Sequence, residues 1–373
     1  MTAPHRVSID PFKPLAEEPH TGHNRWHEAI EPIVEVEPGE VVVLETRDAF
    51  DGQLTPRTTH AEVGGLGLGG VHPLTGPVFV KGAEPGDLLE IKILQIDPDP
   101  WESWGYTCQV PGFGFLADLF PDPWVAHWRL IGGYAESEQV PGVRVRFNPF
   151  PGTLGLAPST ALRERAAERE GTLVERGLAL PPDAEGAVPA GEPIAGEALR
   201  TIPPREVGGN LDIKQMTPGA SVLIPVHAPG GLVSTGDVHY AQGDCEACGT
   251  AIEMRSATHL QFALRKGEAE RTGARSVQIL RDDFFADPHL AAPRRFHATT
   301  GFPVTEEGEQ RSGDLTLAAR NALIDMIRHL EDRGFDRPQA YTICSVAVDL
   351  RVSQVVDVPN YVVTAILPLD VFM

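Results

Sequence analysis

Cysteine is scarce in this chain: four residues in 373, at Cys108, Cys245, Cys248 and Cys344. So few cannot build the dense disulfide framework of a small secreted scaffold, and they predict free thiols in a reducing cytoplasm. An apolar core of signal-peptide length is missing from Met1 to Asp10, and no window approaches the roughly 18 apolar residues of a spanning helix. Positive charge is also in short supply, with Lys+Arg 31 against Asp+Glu 52 and a net charge of -21. A field of that sign repels phosphate backbones and anionic headgroups, so neither nucleic acid nor a membrane surface is an expected partner. There is no G-x-x-x-x-G-K-[ST] phosphate loop and no G-x-S-x-G nucleophile elbow. The run Gly64–Gly70 lacks the strand–helix context of a dinucleotide fingerprint and reads as a loop leading to His72.

Turn formers, by contrast, are abundant. Gly 38 and Pro 34 make up about a fifth of the chain, against roughly 12% in ordinary proteins. Pro-Gly turns at Pro38-Gly39, Pro85-Gly86 and Pro218-Gly219 each lead into an apolar run. The run after Pro85-Gly86 sets Leu89, Ile91, Ile93 and Gln95 against Leu88, Glu90, Lys92 and Leu94, a half-buried strand. Ile252 to Leu264 alternates over a long stretch. Ile252, Met254, Leu260, Phe262 and Leu264 take one face; Glu253, Arg255, His259 and Gln261 take the other, predicting one strand with a wet side. A short helix is predicted over Ala161–Glu170, capped by Ser159 or Thr160. A longer one is predicted over Leu315–Arg333, with Gly334 where a C-terminal cap belongs. Tyr341–Val348 and Tyr361–Leu367 read as strands, and 178–198 and 285–311 read as irregular surface segments.

The expected architecture is mainly β, an antiparallel sandwich or barrel-like body, with a smaller α+β portion at the C-terminus. Residues 1–150 form a β-rich part and 151–200 an insertion with a short helix and an irregular loop. Residues 201–265 form a central β part that carries the site, and 266–373 the α+β part.

Chemistry concentrates in Gly208-Gly209-Asn210-Leu211-Asp212 and in Ser234 to Glu246. Glycine lets backbone approach a ligand or adopt positive φ. Asp, Glu and His are the ligands of hard and borderline metals. Asn210 and Asp212, Asp237 and His239, Asp244 and Glu246 are each two apart. In extended backbone such pairs project from one face. Three pairs brought together by turns supply ligands for one or two ions. The alternative is plain: alternating polar residues also line the wet face of any strand. His72 precedes Pro73 in a second segment, and a His before Pro is as easily a loop residue bonded to backbone. Near the N-terminus, His23-Asn24-Arg25-Trp26-His27 fits either a pocket wall or Trp26 packed between two exposed histidines. Cys245 and Cys248 form a lone C-x-x-C, which excludes a zinc site built from two such pairs.

On His23–His27, His72–Asp87, Arg205–Asp212, Ser234–Glu253 and Val346–Val358 together, the chain resembles the acetamidase/formamidase family from about residue 20 to its end. The resemblance implies hydrolysis of formamide, acetamide or a similar small amide, with some relatives acting on cyclic amides. It also implies a divalent metal, zinc or calcium, and homo-oligomers. Family members usually carry Gly where this chain has Cys245, and smaller residues where it has Val238 and Tyr240; these departures point to a shift in substrate size.

The expected mechanism is metal-assisted. His239, Asp237, Asp212 and His72 hold the ion, zinc ahead of calcium, and it lowers the pKa of a bound water. Asn210 and the backbone N–H groups of Gly208–Gly209 face the oxyanion. Glu246 moves the proton from water to the departing nitrogen, and Asp244 orients a ligand or the base. Two rivals stand beside it: a thiol nucleophile at Cys245 or Cys248, and a non-catalytic β protein that binds a small ligand or a structural metal ion.

Overall fold

The computed structural model describes residues 3–100, 103–179, 184–283 and 295–373. Two large open sheets dominate. One has six strands, in the order His5–Val7, Val41–Thr46, Ser256–Arg265, Leu88–Pro98, Ser221–Pro225 and Gln278–Leu280. The other has eleven and includes Trp104–Gln109, Glu253–Met254, Val233–His239, Phe150–Gly155 and Gly208–Asn210 as neighbours. Pairing is antiparallel except where His5–Val7 joins Val41–Thr46 and Val34–Val36 joins Leu74–Val80. Strands from 1–150 pair with strands from 201–265 within both sheets.

Apolar burial holds the sheets together. Leu89, Ile91 and Ile93 are fully buried, as their alternation predicts. A register shift between His259 and Leu260 in the neighbouring strand then changes the phase, so Ile96 is buried and Gln95 is not. Each such aliphatic side chain contributes about 1.5–3 kcal/mol when fully buried.

Ile252–Leu264 is not one strand. It breaks at Arg255: Glu253–Met254 belongs to the eleven-stranded sheet and Ser256–Arg265 to the six-stranded one. The Arg255 guanidinium, 3.0 Å from Asp99, pins the corner. Period-2 alternation survives the corner because both halves are extended, but the environment of each face changes there.

Asp314 caps the helix Leu315–Asp332, and Gly334 follows it at φ +98. Ser159 caps Thr160–Val174. Tyr341–Val348 corrects a prediction: Arg337–Ala347 is a helix. Asp336 and Gln339 form its capping box and Pro338 lies in its first turn. Every residue from Ala340 to Ala347 is buried, so no amphipathic period showed in the sequence. These two helices pack with a three-stranded sheet of Phe296–Gly301, Val362–Pro368 and Asp349–Gln354. Phe296–Gly301 lies in a stretch predicted to be irregular; 285–294 of that stretch fall outside the described residues. The supposed surface excursion after 178 is partly tied down as well. Asn24 donates to Gly186 O at 2.7 Å and accepts from Val188 N at 2.8 Å, while 180–183 fall outside the described residues.

Candidate active site

His239 ends the strand Val233–His239 and is buried. Its cross-strand partner is Glu253, which pairs with it in register. That pairing corrects the wet-face prediction: Glu253 is buried, not solvated. Around His239 Nε2 lie Asp237 Oδ1 at 3.4 Å, Glu253 Oε2 at 3.4 Å, Asp212 Oδ1 at 3.9 Å and Glu246 Oε1 at 3.9 Å. His72 Nε2 stands 3.8 Å from Asp237 Oδ2. Thr153 Oγ1 is 2.8 Å from Asn210 Oδ1 and 3.2 Å from Asp237 Oδ2, tying Asn210 to the cluster.

The backbone that aims these groups is unusual. Asp212, Asp237 and Glu246 all have left-handed φ, at +49, +51 and +47. Short polar side chains tolerate that region better than most. The cluster therefore does not come from simple i, i+2 projection along extended strands. Gly152 leaves room for it: a methyl group there would stand 2.7 Å from His239 Nε2 and 2.8 Å from Asp212 Oδ1.

The tautomer of His239 is fixed from behind. Gln242 Nε2 donates to Asp212 O at 2.9 Å, which turns Gln242 Oε1 toward the ring, 2.8 Å from Nδ1. Nδ1 then carries a proton toward Gln242, and Nε2 is the ring atom that faces the four carboxylates. His239 Nε2, Asp212 Oδ1, Glu253 Oε2 and His72 Nδ1 are all buried without an aligned hydrogen-bond partner. Such groups cost about 1–3 kcal/mol each when left unmatched. Two imidazole nitrogens and two carboxylate oxygens left so, with the carboxylates of Asp237 and Glu246 beside them, fit a divalent cation.

Electrostatics agree with an excess of negative charge. Burial pushes the Asp212 carboxyl up to about 7, with Asp237 adding to the shift. Burial also raises Glu246, with Asp212 adding, and raises Glu253, with Asp237 adding. Burial opposes ionisation of Asp237 too, but His72 and His239 outweigh it and hold that carboxyl below its usual range. His239 is raised despite burial, because Glu253, Asp237 and Glu246 favour its charged form. Burial lowers His72.

The cluster forms the floor of a cavity of about 530 Å³ walled by Phe50, Val71, Val110, Phe113, Phe115 and Ile202. Among the described residues no Lys or Arg lines it.

Not every expected residue is in place. Asp244 turns away: Gln215 Nε2 donates to it at 3.2 Å, Lys214 Nζ lies at 3.9 Å, and its own N–H donates to Asp349. Positive φ at Cys245 (+122) and Glu246 (+47) breaks the extended geometry on which the Asp244–Glu246 pairing relied. Gly208 and Gly209 lie in a strand, not a turn, and neither lines the cavity. The Gly208 N–H is already donated to Arg205 O at 3.0 Å. Tyr240 packs on Phe147 at 4.6 Å and Val238 is in the core, so neither touches the cavity. His23 and His27 are buried, and burial drives His23 down to about 4. Cys245 lines the cavity from an exposed position, and its surroundings, the carboxylates of Asp244, Asp349 and Glu246 among them, push its thiol up. Burial pushes the Cys248 thiol up to about 11. Neither thiol is poised as a thiolate.

The match to the family model titled Acetamidase/Formamidase family runs from residue 8 to 373. The chain belongs to this family. It is 34% identical to the formamidase of Methylophilus methylotrophus, over 98% of this chain and 93% of that protein. It is 36% identical to the acetamidase of Mycolicibacterium smegmatis, over 90% of this chain and 88% of that protein. Among solved structures, the gamma lactamase from Delftia acidovorans matches with a TM-score of 0.93 at 34% identity, covering 99% of this chain and 93% of that one. Glu253, Gln242 and Gly152 are the site residues that sequence reasoning passed over. For Glu253 the one available signal was its place at the end of the matched segment Ser234–Glu253.

Proposed function

We propose that this chain hydrolyses a small uncharged carboxamide, formamide or acetamide, to a carboxylate and ammonia in the cavity above His239. One observation carries this reading: unmatched acidic and imidazole atoms converge at the floor of an apolar cavity that no Lys or Arg lines among the described residues. The family supports the reaction class.

His239 Nε2, Asp237 and Glu253 are the residues that would hold a divalent ion, with Asp212 and His72 beside them. The imidazole nitrogen favours zinc over calcium, which prefers an all-oxygen set. Such an ion, when bound, supplies Lewis acidity and lowers the pKa of water from 15.7 to about 7. The chain's own groups do the rest. Glu246 takes the proton of the attacking water at its carboxylate and returns it to the departing nitrogen. Without that transfer the amide anion is too poor a leaving group. Asn210 Oδ1 is engaged by Thr153, which leaves Nδ2 to donate to the carbonyl oxygen as charge builds there. The apolar walls hold the acyl group and exclude bulk water.

A second reading concerns size. A cavity of about 530 Å³ is far larger than formamide requires, and small-molecule pockets typically span about 300–1,000 Å³. Together with the likeness to the gamma lactamase, this favours a five-membered cyclic amide as an additional substrate. The deciding experiment measures ammonia from formamide, acetamide and propionamide, and amino acid from a γ-lactam, with and without chelator. No turnover of any of the four overturns the reading.

A cytoplasmic location and a homo-oligomeric state belong to the same proposal. Free cysteines support the former, and no helix among the described residues is long and apolar enough to cross a membrane. Sedimentation of the purified protein tests the latter.

A further inference from the structure

A second cavity, of about 550 Å³, lies behind the active site at the junction with the C-terminal α+β portion. Gln242 forms part of its wall. The same side chain holds His239 Nδ1 and Asp212 O, and Asp212 lines the front cavity, so one amide links the rear cavity to the active-site residues. Arg144, Arg146, Lys214 and Arg295 line the rear cavity against two carboxylates, Asp349 and Asp370. Lys214 is ion-paired with Asp349. Arg144 lies over the Tyr134 ring, 4.4 Å from its centroid, and meets no carboxylate among the described residues. The remaining wall is apolar and includes Val346, Val371 and Phe372.

Asn148 supplies the second observation. It is only 7% exposed and lines this cavity. Its backbone N–H donates to Tyr240 O at 3.0 Å, but its side-chain amide has no hydrogen-bond partner among the described residues. An amide set in a cavity wall with no protein partner is free to bond a ligand there. In a chain of net charge -21, a concave site rich in guanidinium is where a mobile anion collects. Guanidinium matches a carboxylate in two parallel hydrogen bonds, and the apolar wall suits a hydrocarbon body.

We propose that the rear cavity binds a small organic acid, its carboxylate held by Arg144 and Asn148 and its apolar body set against Val346 and Phe372. Occupancy reaches the active site through Gln242, whose position fixes the His239 ring. The binding claim does not depend on the amide-hydrolase reading, because calorimetry on the full chain detects it without any substrate.

Benzoate is the probe, with acetate and inorganic phosphate as comparisons. Benzoate binds the wild-type protein with a Kd between about 10 µM and 1 mM, acetate binds more weakly, and phosphate more weakly still. Arg144→Glu reverses the charge on an exposed strand and weakens benzoate about tenfold or more; Asn148→Leu weakens it by a similar factor. Thermal melting of both variants confirms that they fold. Arg144→Glu leaves turnover without added acid unchanged. Saturating benzoate changes wild-type kcat about twofold or more and leaves the Arg144→Glu variant unaffected. Absence of benzoate binding, equal binding of phosphate, or full affinity in the Arg144→Glu variant each overturns the site. Binding with no change in kcat overturns the link through Gln242.

Discussion

Two cavities of similar size, about 530 and 550 Å³, are linked through the contacts of Gln242 and carry opposite charge. The front one gathers four carboxylates around one imidazole nitrogen and leaves several of those atoms without partners. The rear one gathers guanidinium groups and a buried amide. The front cavity therefore demands a cation, and the rear cavity is suited to an anion.

The comparison breaks most visibly at His239. His239→Ala removes the nitrogen on which all four carboxylates converge, and turnover falls about 10³-fold or more with loss of bound metal. Elemental analysis beside ammonia release checks this; a metal-free variant with wild-type turnover removes the ion from the chemistry. Next in size is Glu246→Gln, which keeps the metal and costs about 10²-fold or more in kcat. Gly152→Ala pushes a methyl group onto His239 and Asp212, and a shift of about 1 Å in a reacting group can cost about 10²-fold; the variant loses activity well below its melting temperature. Gln242→Leu acts on the link itself. It frees the His239 ring to rotate and costs about 10–100-fold in metal affinity or activity, measured by zinc titration and by ammonia release. Wild-type affinity in this variant shows that His239 needs no support from behind.

Much of this arrangement was legible in the sequence. Asn210, Asp212, Asp237, His239 and Glu246 stood out because Gly-rich segments carried them, and the structure brings all five to one place. The failures share a cause: regular geometry was assumed where the chain departs from it. Asp244 looked like a partner for Glu246, but φ of +122 at Cys245 sends the two carboxylates apart. Cys245 holds that conformation, one that glycine adopts freely, with a side chain attached. Glu253 looked solvated because alternation cannot show that a strand crosses from one sheet to another at Arg255. The helix Arg337–Ala347 was hidden by complete burial, although Asp336, Pro338 and Gln339 were there as its start signal. Gly152 gave no signal, since its role depends on the distant His239 ring. The rear cavity was equally silent: Arg144, Asn148, Lys214 and Gln242 meet only through the fold.

Protons provide the gentlest way to separate the two cavities. Asp212 titrates at about 7 in the ion-free fold, against 3.8 ordinarily. Between those values the folded protein keeps a proton that the unfolded chain has released. Glu246 and Glu253 shift in the same direction, and His239 also holds its proton more tightly when folded. Asp237 runs the other way, and the stability it contributes is lost only in strong acid. The ion-free protein therefore loses stability as pH rises from about 4 to about 8. Asp212 contributes to that loss jointly with the carboxylates it is coupled to. A divalent ion displaces these protons and binds more tightly as pH rises, so the loaded protein gains stability over the same range. Melting curves of chelated and zinc-loaded protein between about pH 5 and 8 measure the two slopes, at about 2 °C per kcal/mol. Opposite slopes place the proton-linked charge in the front cavity; parallel slopes show that the carboxylates around His239 do not take the ion.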